Sequence, residues 1–303
     1  MANLKEIKSR IQSIESTKKI TRAMKMVAAA KVKRAENSVK ASRPYTFELN
    51  SVISKLINTV SNEKVDDIKI KSAIDNYPCL LKVRPVDEVG ILVITSNKGL
   101  AGAYNANVIR KTLKLVEKYS NDGIKSKLFI VGQKGVSLLS KKIKNYNCEI
   151  VKTYIDVAAH PTPIGSGIIT DDIARYFVEE KIDKIEIVTT RFKNMMSYYV
   201  ENWVVLPIQK PDGDAKVDAL IEFEPDIKTV LQMVVPMYIT NIIYQAILEA
   251  QASELASRMT AMSAASNNAD QMLHDLSIQY NKTRQSAITN EIIEVVSGAV
   301  MQG

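Results

Sequence analysis

Two long helices from the chain ends, paired as an antiparallel coiled coil with an α/β domain set between them, follow from three features of the sequence. The first is the spread of glycine: none precedes Gly90, and nine of the eleven fall between Gly90 and Gly213. Glycine punctuates turns and strand ends, so the outer thirds read as helix and the middle as a compact domain. The second is proline, absent before Pro44 and after Pro236. The third is a seam near the C-terminus. Leu255, Met259, Met262, Ser266, Ala269, Leu273, Leu276, Tyr280, Thr283 and Ala287 alternate spacings of four and three. That is a heptad repeat, and its small members let a partner helix come close.

In chain order, residues 1–60 read as the N-terminal coiled-coil helix. Leu4, Ile7, Ile11 and Ile14 are spaced as in a coiled-coil seam. The apolar stripe then steps to Thr17, Ile20, Met24 and Val27, which predicts a local overwinding as the stripe changes face. A helix over residues 3–58 is about 84 Å long at 1.5 Å per residue, with Pro44 marking a bend. Residues 61–85 are a connecting segment. Residues 86–210 read as the α/β domain. VGILVIT (89–95), KLFIVG (127–132) and KIEIVTTRF (184–192) are short apolar runs bounded by turn residues, and helical patterns such as NVIRKTLKLVEKY separate them. YYVENWVVLPI (198–208) adds an antiparallel strand. A Rossmann-like open sheet in three layers results. Residues 211–303 form the C-terminal coiled-coil helix. Its uncharged stretch 229–248 has the length of a membrane span. Thr229, Gln232, Pro236, Thr240, Asn241 and Gln245 interrupt it and charged helix follows, so it reads as buried or partner-facing helix.

At 46% hydrophobic, the 303 residues can bury a normal core and hold more than one folded unit. The formal charge is +8, yet residues 1–43 alone hold twelve Lys/Arg against three Glu. The basicity is thereby assigned to one segment, because the other residues sum to −1. KKITRAMKMVAAAKVKR (18–34) contains no acid and calls for an acidic partner. Nucleic acid would match the charge but leaves the long Met/Ala/Ser seam without a purpose.

Catalytic chemistry is poorly supplied. The loop SNKGLAGAYN (96–105) sits where a doubly wound sheet binds phosphate, but it offers only Gly99 and Gly102, and neither GxGxxG nor GxxxxGK[ST] occurs. A structural turn is favoured there over the site of a nucleotide-dependent enzyme. His160 and His274 lack paired spacing, and Cys79 and Cys148 stand in no ligand pattern, so no metal, cofactor or nucleophile is expected. The first residues contain no apolar export signal. Lys5, Lys8 and Arg10 at a helix start, and Glu291 and Glu294 near a helix end, oppose the helix dipole, which marks either functional contacts or solvated helix ends.

Five stretches, in order, resemble the gamma subunits of F-type ATP synthases: ITRAMKMVAAAKVKRAE, SRPY, SNKGLAGAYN, ASELASRMTAMSAASNNA and RQSAITNEIIEVVSGA. The resemblance covers essentially the whole chain. It implies a rotary shaft inside a ring of three alpha and three beta subunits, its foot beside an epsilon subunit on a membrane-embedded c ring. It further implies that the chain performs no chemistry: ATP, ADP and Mg belong to alpha and beta, and membrane association comes through the c ring. The resemblance makes Lys18, Arg22, Met24, Lys25 and Arg258 the coupling contact with the beta subunits. It makes Arg284, Gln285, Thr289, Glu291 and Glu294 the upper shaft contacts. Ser42, Arg43, Pro44, Tyr45, Phe223 and Glu224 match the foot. Asn97 and Lys98 match a central-domain contact, although the family commonly has Asp-Arg there, and Lys cannot form the bidentate pair of Arg. The stretch 61–86 is longer than the family's usual connection, and the paired-cysteine insert of plastid relatives is absent. Without a signal or transit peptide, the implied place is the cytoplasmic face of a bacterial inner membrane.

Overall fold

The computed structural model describes residues 4–60, 80, 83–208, 224 and 227–301. The chain divides into two units, Met1–Ala30 with Arg258–Gly303, and Lys31–Ser257. Helix α1 (Leu4–Val60) and helix α6 (Ile227–Met301) contribute to both.

In the first unit the two helices are antiparallel. Lys18 pairs with Asp270, while Arg10 and Ile14 share a groove with Met272 and Leu276, so one numbering falls as the other rises. The seam on α6 is where the heptads predict it. Between 270 and 297 only Leu273, Leu276, Tyr280, Thr283 and Ala287 escape full exposure. The expected change of face on α1 does not occur. Thr17, Ile20 and Val27 are exposed, and the regular spacing continues from Ile7, Ile11 and Ile14 through Lys18 and Thr21 to Ala28. The register places the small Ser266 and Ala269 against this stretch, and a close approach favours Thr21 and Ala28 over bulkier neighbours. Thr21 satisfies its hydroxyl by donating to the Lys18 carbonyl at 3.0 Å. The Lys18 stem covers the seam while its ammonium reaches Asp270.

The second unit is a five-stranded sheet between helical layers. Its elements are β1 (Glu88–Ile94), α2 (Tyr104–Asn121), β2 (Lys125–Val131), α3 (Gln133–Lys142), β3 (Cys148–Tyr154), the short α4 (Ile155–Ala159), α5 (Pro163–Val178), β4 (Lys184–Asn194) and β5 (Ser197–Leu206). The strand order is β3-β2-β1-β4-β5, parallel except for β5, which runs antiparallel to β4. Four strands fall on the runs read from the sequence. The fifth, β3, is an edge strand whose side chains are mostly half-exposed, so CEIVKTY lacks the apolar run that marks its neighbours.

Alternation along β1 sets the layers. Val89, Ile91 and Val93 face α2 and α3 with Val108, Val116 and Leu139. Leu92 and Ile94 face the other way, toward Ile173 and Phe177 of α5, Ile53 and Leu56 of α1, and Leu231, Val235, Ile239 and Ile243 of α6. The uncharged stretch of α6 therefore has a buried face here, although Thr229–Ser297 is long and apolar enough to cross a membrane by composition alone. Pro44 lies inside α1 and does not end it. The chain enters and leaves the domain at one place: the Ile208 N–H donates to the Leu80 carbonyl at 3.0 Å, both residues being buried. Apart from Leu80 and 83–85, the connecting segment 61–85 lies outside the described residues, as do 209–223.

Candidate functional site

The basic run of α1 has two faces. Thr21, Ala28 and the Lys18 stem form the inner one. Outward stand the exposed cations Arg22 and Lys25 together with Ile20, Met26 and Val27, each more than half exposed. Met24 is half-buried between the faces, and Arg258 on α6 is half-buried as well. Lys18 is not a free cation, because Asp270 engages it. Further along α6, Arg284, Gln285, Thr289, Glu291 and Glu294 are all exposed. So are Ile288, Ile292, Ile293, Val295 and Val296, a density of apolar groups that isolated soluble helices do not carry. Because α6 runs to Met301, Glu291 and Glu294 lie more than a turn before its end, outside the reach of the dipole.

In the second unit the strand-end loops lock one another. Gln133 and Gly135 open α3 with N–H groups bound by Asn97 Oδ1 and Thr95 Oγ1, each at 2.9 Å, while the Lys134 N–H goes to the Ser96 carbonyl at 3.0 Å. A phosphate at the start of α3 would need those donors, and all three are spent internally. Gly132 has φ 98, and a Cβ there would overlap the Thr95 carbonyl. Asn97 also donates to the Ile155 carbonyl at 2.8 Å. An aspartate could accept from Gln133 but could not make that second bond. Lys98 is exposed. Cys148 is half-buried, and burial, with Glu149 beside it, pushes its thiol up to about 12, which leaves it inert at neutral pH.

The SRPY residues divide. Ser42 and Tyr45 line an open groove of about 760 Å³ with Pro163, Pro236 and Met237. Pro44 is exposed. Arg43, though exposed, reaches across to α6 and β4: it donates to Glu249 Oε1 through Nε and Nη2 at 3.3 Å and to the Phe192 carbonyl at 3.2 Å. Glu249 in turn accepts from the Phe192 N–H at 3.2 Å, so one ion pair ties α1, α6 and the end of β4 together. Glu224 is exposed, and Phe223 lies outside the described residues.

A family profile described as ATP synthase matches residues 3–300. The ATP synthase gamma chain of Synechococcus sp. (strain JA-3-3Ab) is 37% identical over 326 residues, covering 99% of each chain. The chain belongs to the ATP synthase gamma-chain family. Solved structures agree in fold. The central stalk and c-ring structure of Tetrahymena thermophila mitochondrial ATP synthase contains a chain similar at a TM-score of 0.60 and 25% identity, covering 82% of this chain and 99% of that one. One in the OSCP/F1/c-ring structure of Euglena gracilis mitochondrial ATP synthase matches at a TM-score of 0.66 and 18% identity, covering 99% and 94%.

Two acids that matter to this family member escape a reading of motifs, although each leaves a signal. Asp270 flanks the seam residue Ala269, the position from which an acid meets a basic partner helix. Glu249 is the first charge after twenty uncharged residues, and a carboxylate entering a buried helix requires a cation.

Proposed function

We propose that the chain is the central rotary shaft of a proton-translocating F-type ATP synthase. It couples rotation of a c ring, driven by proton flow, to ATP synthesis or hydrolysis on a ring of three alpha and three beta subunits. The observation that carries this is the end of α6 in a chain matched to gamma chains along its length. Residues 288–297 are all exposed, and half of them are branched and apolar, which fits a helix enclosed by a sleeve of other subunits. The contact must be renewed at every step. Exposed ion pairs, worth about 0–1 kcal/mol each, suit a surface made and broken repeatedly, and Arg22 and Lys25 are such groups.

The chain itself performs no chemistry and binds no cofactor in this account; ATP, ADP and Mg sit on alpha and beta. The spent donors of the strand-end loops support that assignment. The α/β domain forms the foot, beside epsilon and over the c ring, with Arg43, Pro44, Tyr45 and Glu224 exposed and Ser42 half-buried, while the Arg43 bond to Glu249 braces it. The coupling contact is Lys18, Arg22, Met24, Lys25 and Arg258, with Arg284, Gln285, Thr289, Glu291 and Glu294 above it, and Asn97 and Lys98 serve the central domain. Its place is peripheral, on the cytoplasmic side of a bacterial inner membrane.

The test is reconstitution with matching alpha and beta subunits and a bead on the α/β domain. ATP should drive stepwise rotation in one direction. Met24→Lys should leave ATP hydrolysis running while proton pumping by the complete enzyme falls several-fold. Failure to assemble with competent alpha and beta, together with salt-dependent binding of nucleic acid, would remove the rotor assignment.

A further inference from the structure

The charge total hides a second basic surface. Residues 104–145 carry ten Lys/Arg against Glu117 and Asp122 alone, so basicity is not confined to the first 43 residues; acids elsewhere cancel it in the sum. The fold gathers these cations. Helices α2 and α3 lie on the same face of the sheet, and α2 buries Val108, Ile109, Thr112, Leu115, Val116 and Tyr119 against it. Its opposite side carries Arg110, Lys114 and Lys118, spaced by four, and Lys141, Lys142 and Lys144 stand exposed at the end of α3 and in the turn after it. Lys125 and Lys127 pair with Glu149 and Glu88. Among the described residues, the other eight cations of 104–145 meet no carboxylate in ion-pair range. Like charges four apart on a helix repel. An anionic surface opposite them would turn that cost into binding.

The chemistry selects the surface. Seven of the eight cations are Lys, a hydrated point charge suited to diffuse contact rather than to the forked recognition of Arg. Tyr104 and Tyr119 are buried, so no exposed ring on these helices can stack a base, as single-stranded nucleic acid would require. Leu138, at 38% exposure, is the one large apolar side chain of the segment among the exposed residues, too little to anchor a protein interface. We propose that the α2–α3 face is an electrostatic docking surface for anionic phospholipid headgroups. The proposal rests on the rotor function above, because a fluid headgroup layer presents one potential at every angle and would steady the foot without halting it.

The test uses the chain assembled with alpha and beta subunits, in which the basic run of α1 is enclosed. Flotation is measured with vesicles of phosphatidylcholine alone and of phosphatidylcholine with phosphatidylglycerol. The assembly should float only with the anionic vesicles and lose them as salt rises. The fourfold variant Arg110→Gln, Lys114→Gln, Lys141→Gln, Lys142→Gln should bind about a thousandfold more weakly, at about 1 kcal/mol per cation near the surface, with ATP hydrolysis unchanged. Equal flotation of wild type and variant, or indifference to phosphatidylglycerol, overturns the proposal. Tighter binding of transfer RNA than of the vesicles, lost in the same variant, also overturns it and gives the face to nucleic acid. Failure to assemble counts against the rotor function instead. The same vesicle comparison then runs on the full chain carrying Lys18→Gln, Arg22→Gln and Lys25→Gln.

Discussion

Two ion pairs show how differently the two units are held. In the larger one, Arg84 Nε meets Asp183 Oδ1 at 2.6 Å, with side chains only 15% and 13% exposed. Arg84 also donates to the Phe177 carbonyl at 2.8 Å and lies 4.6 Å from the centre of the Phe177 ring. The other oxygen of Asp183 accepts from the Asp87 and Glu88 N–H groups at 3.0 Å. In the helix pair, Lys18 and Asp270 are 33% and 52% exposed. Around them the seam buries only Ile7, Thr21, Ala28, Met262, Ser266 and Ala269 among its described residues. The α/β unit spends its charges on fixing one arrangement. The helix pair keeps a thin seam and leaves its charges where partners and salt reach them.

The largest effect should come from the interlocked loops. Gly132→Val combines a positive φ with overlap on Thr95, and should cost about 3 kcal/mol or more, read from the urea midpoint of the chain. A midpoint close to wild type would mean the loops are not locked. Asp183→Asn comes next, at about 2–3 kcal/mol, because it leaves a mostly buried guanidinium with only the exposed Glu180, at 3.9 Å, as a charge partner. It should also change the acid limb of stability. Burial opposes ionisation of Asp183, but the Glu88 and Asp87 N–H groups and Arg84 outweigh it and hold the carboxyl below its usual value. Its contribution is therefore complete above the unfolded value of about 3.9 and disappears as pH falls through the lowered folded value. Melting temperature against pH should fall less steeply in the variant below that point; an unchanged slope would deny the pair its role. Smallest is Asp270→Asn, at less than about 1 kcal/mol and vanishing in high salt, followed by circular dichroism melts. A loss as large as that of Asp183→Asn would erase the contrast between the units.

Much of the architecture was legible because periodicity and punctuation report burial directly. The seam from Met259 to Ala287 is the clearest case, since a side chain at a heptad position has no other place to point. The same logic failed on α1, where Ile20 and Val27 look like seam residues and are not. Apolarity shows that a residue is wanted against something, without saying whether that is the chain's own helix or a partner. Edge strand β3 was hidden for a related reason, because a half-exposed strand lacks the apolar run of a central one. Arg43 illustrates the limit for sites. Its motif assigns it to the foot, and the motif says nothing of its bonds to Glu249 and Phe192, which depend on two elements far away in sequence. The α2–α3 surface was obscured by arithmetic, since a charge total erases where the charges are.

The bond between Leu80 and Ile208 makes the α/β domain an insertion with a single point of attachment. Closing a longer loop from one point costs only with the logarithm of its length, so the connecting segments can grow or shrink with little penalty. The domain could accordingly be exchanged for another whose termini adjoin, as grafted domains are in modular proteins. What the replacement would have to supply is an apolar face for Ile53 and Leu56 on one helix and Leu231, Val235, Ile239 and Ile243 on the other. Graft and host would then meet as two surfaces, with the covalent join contributing little more than proximity.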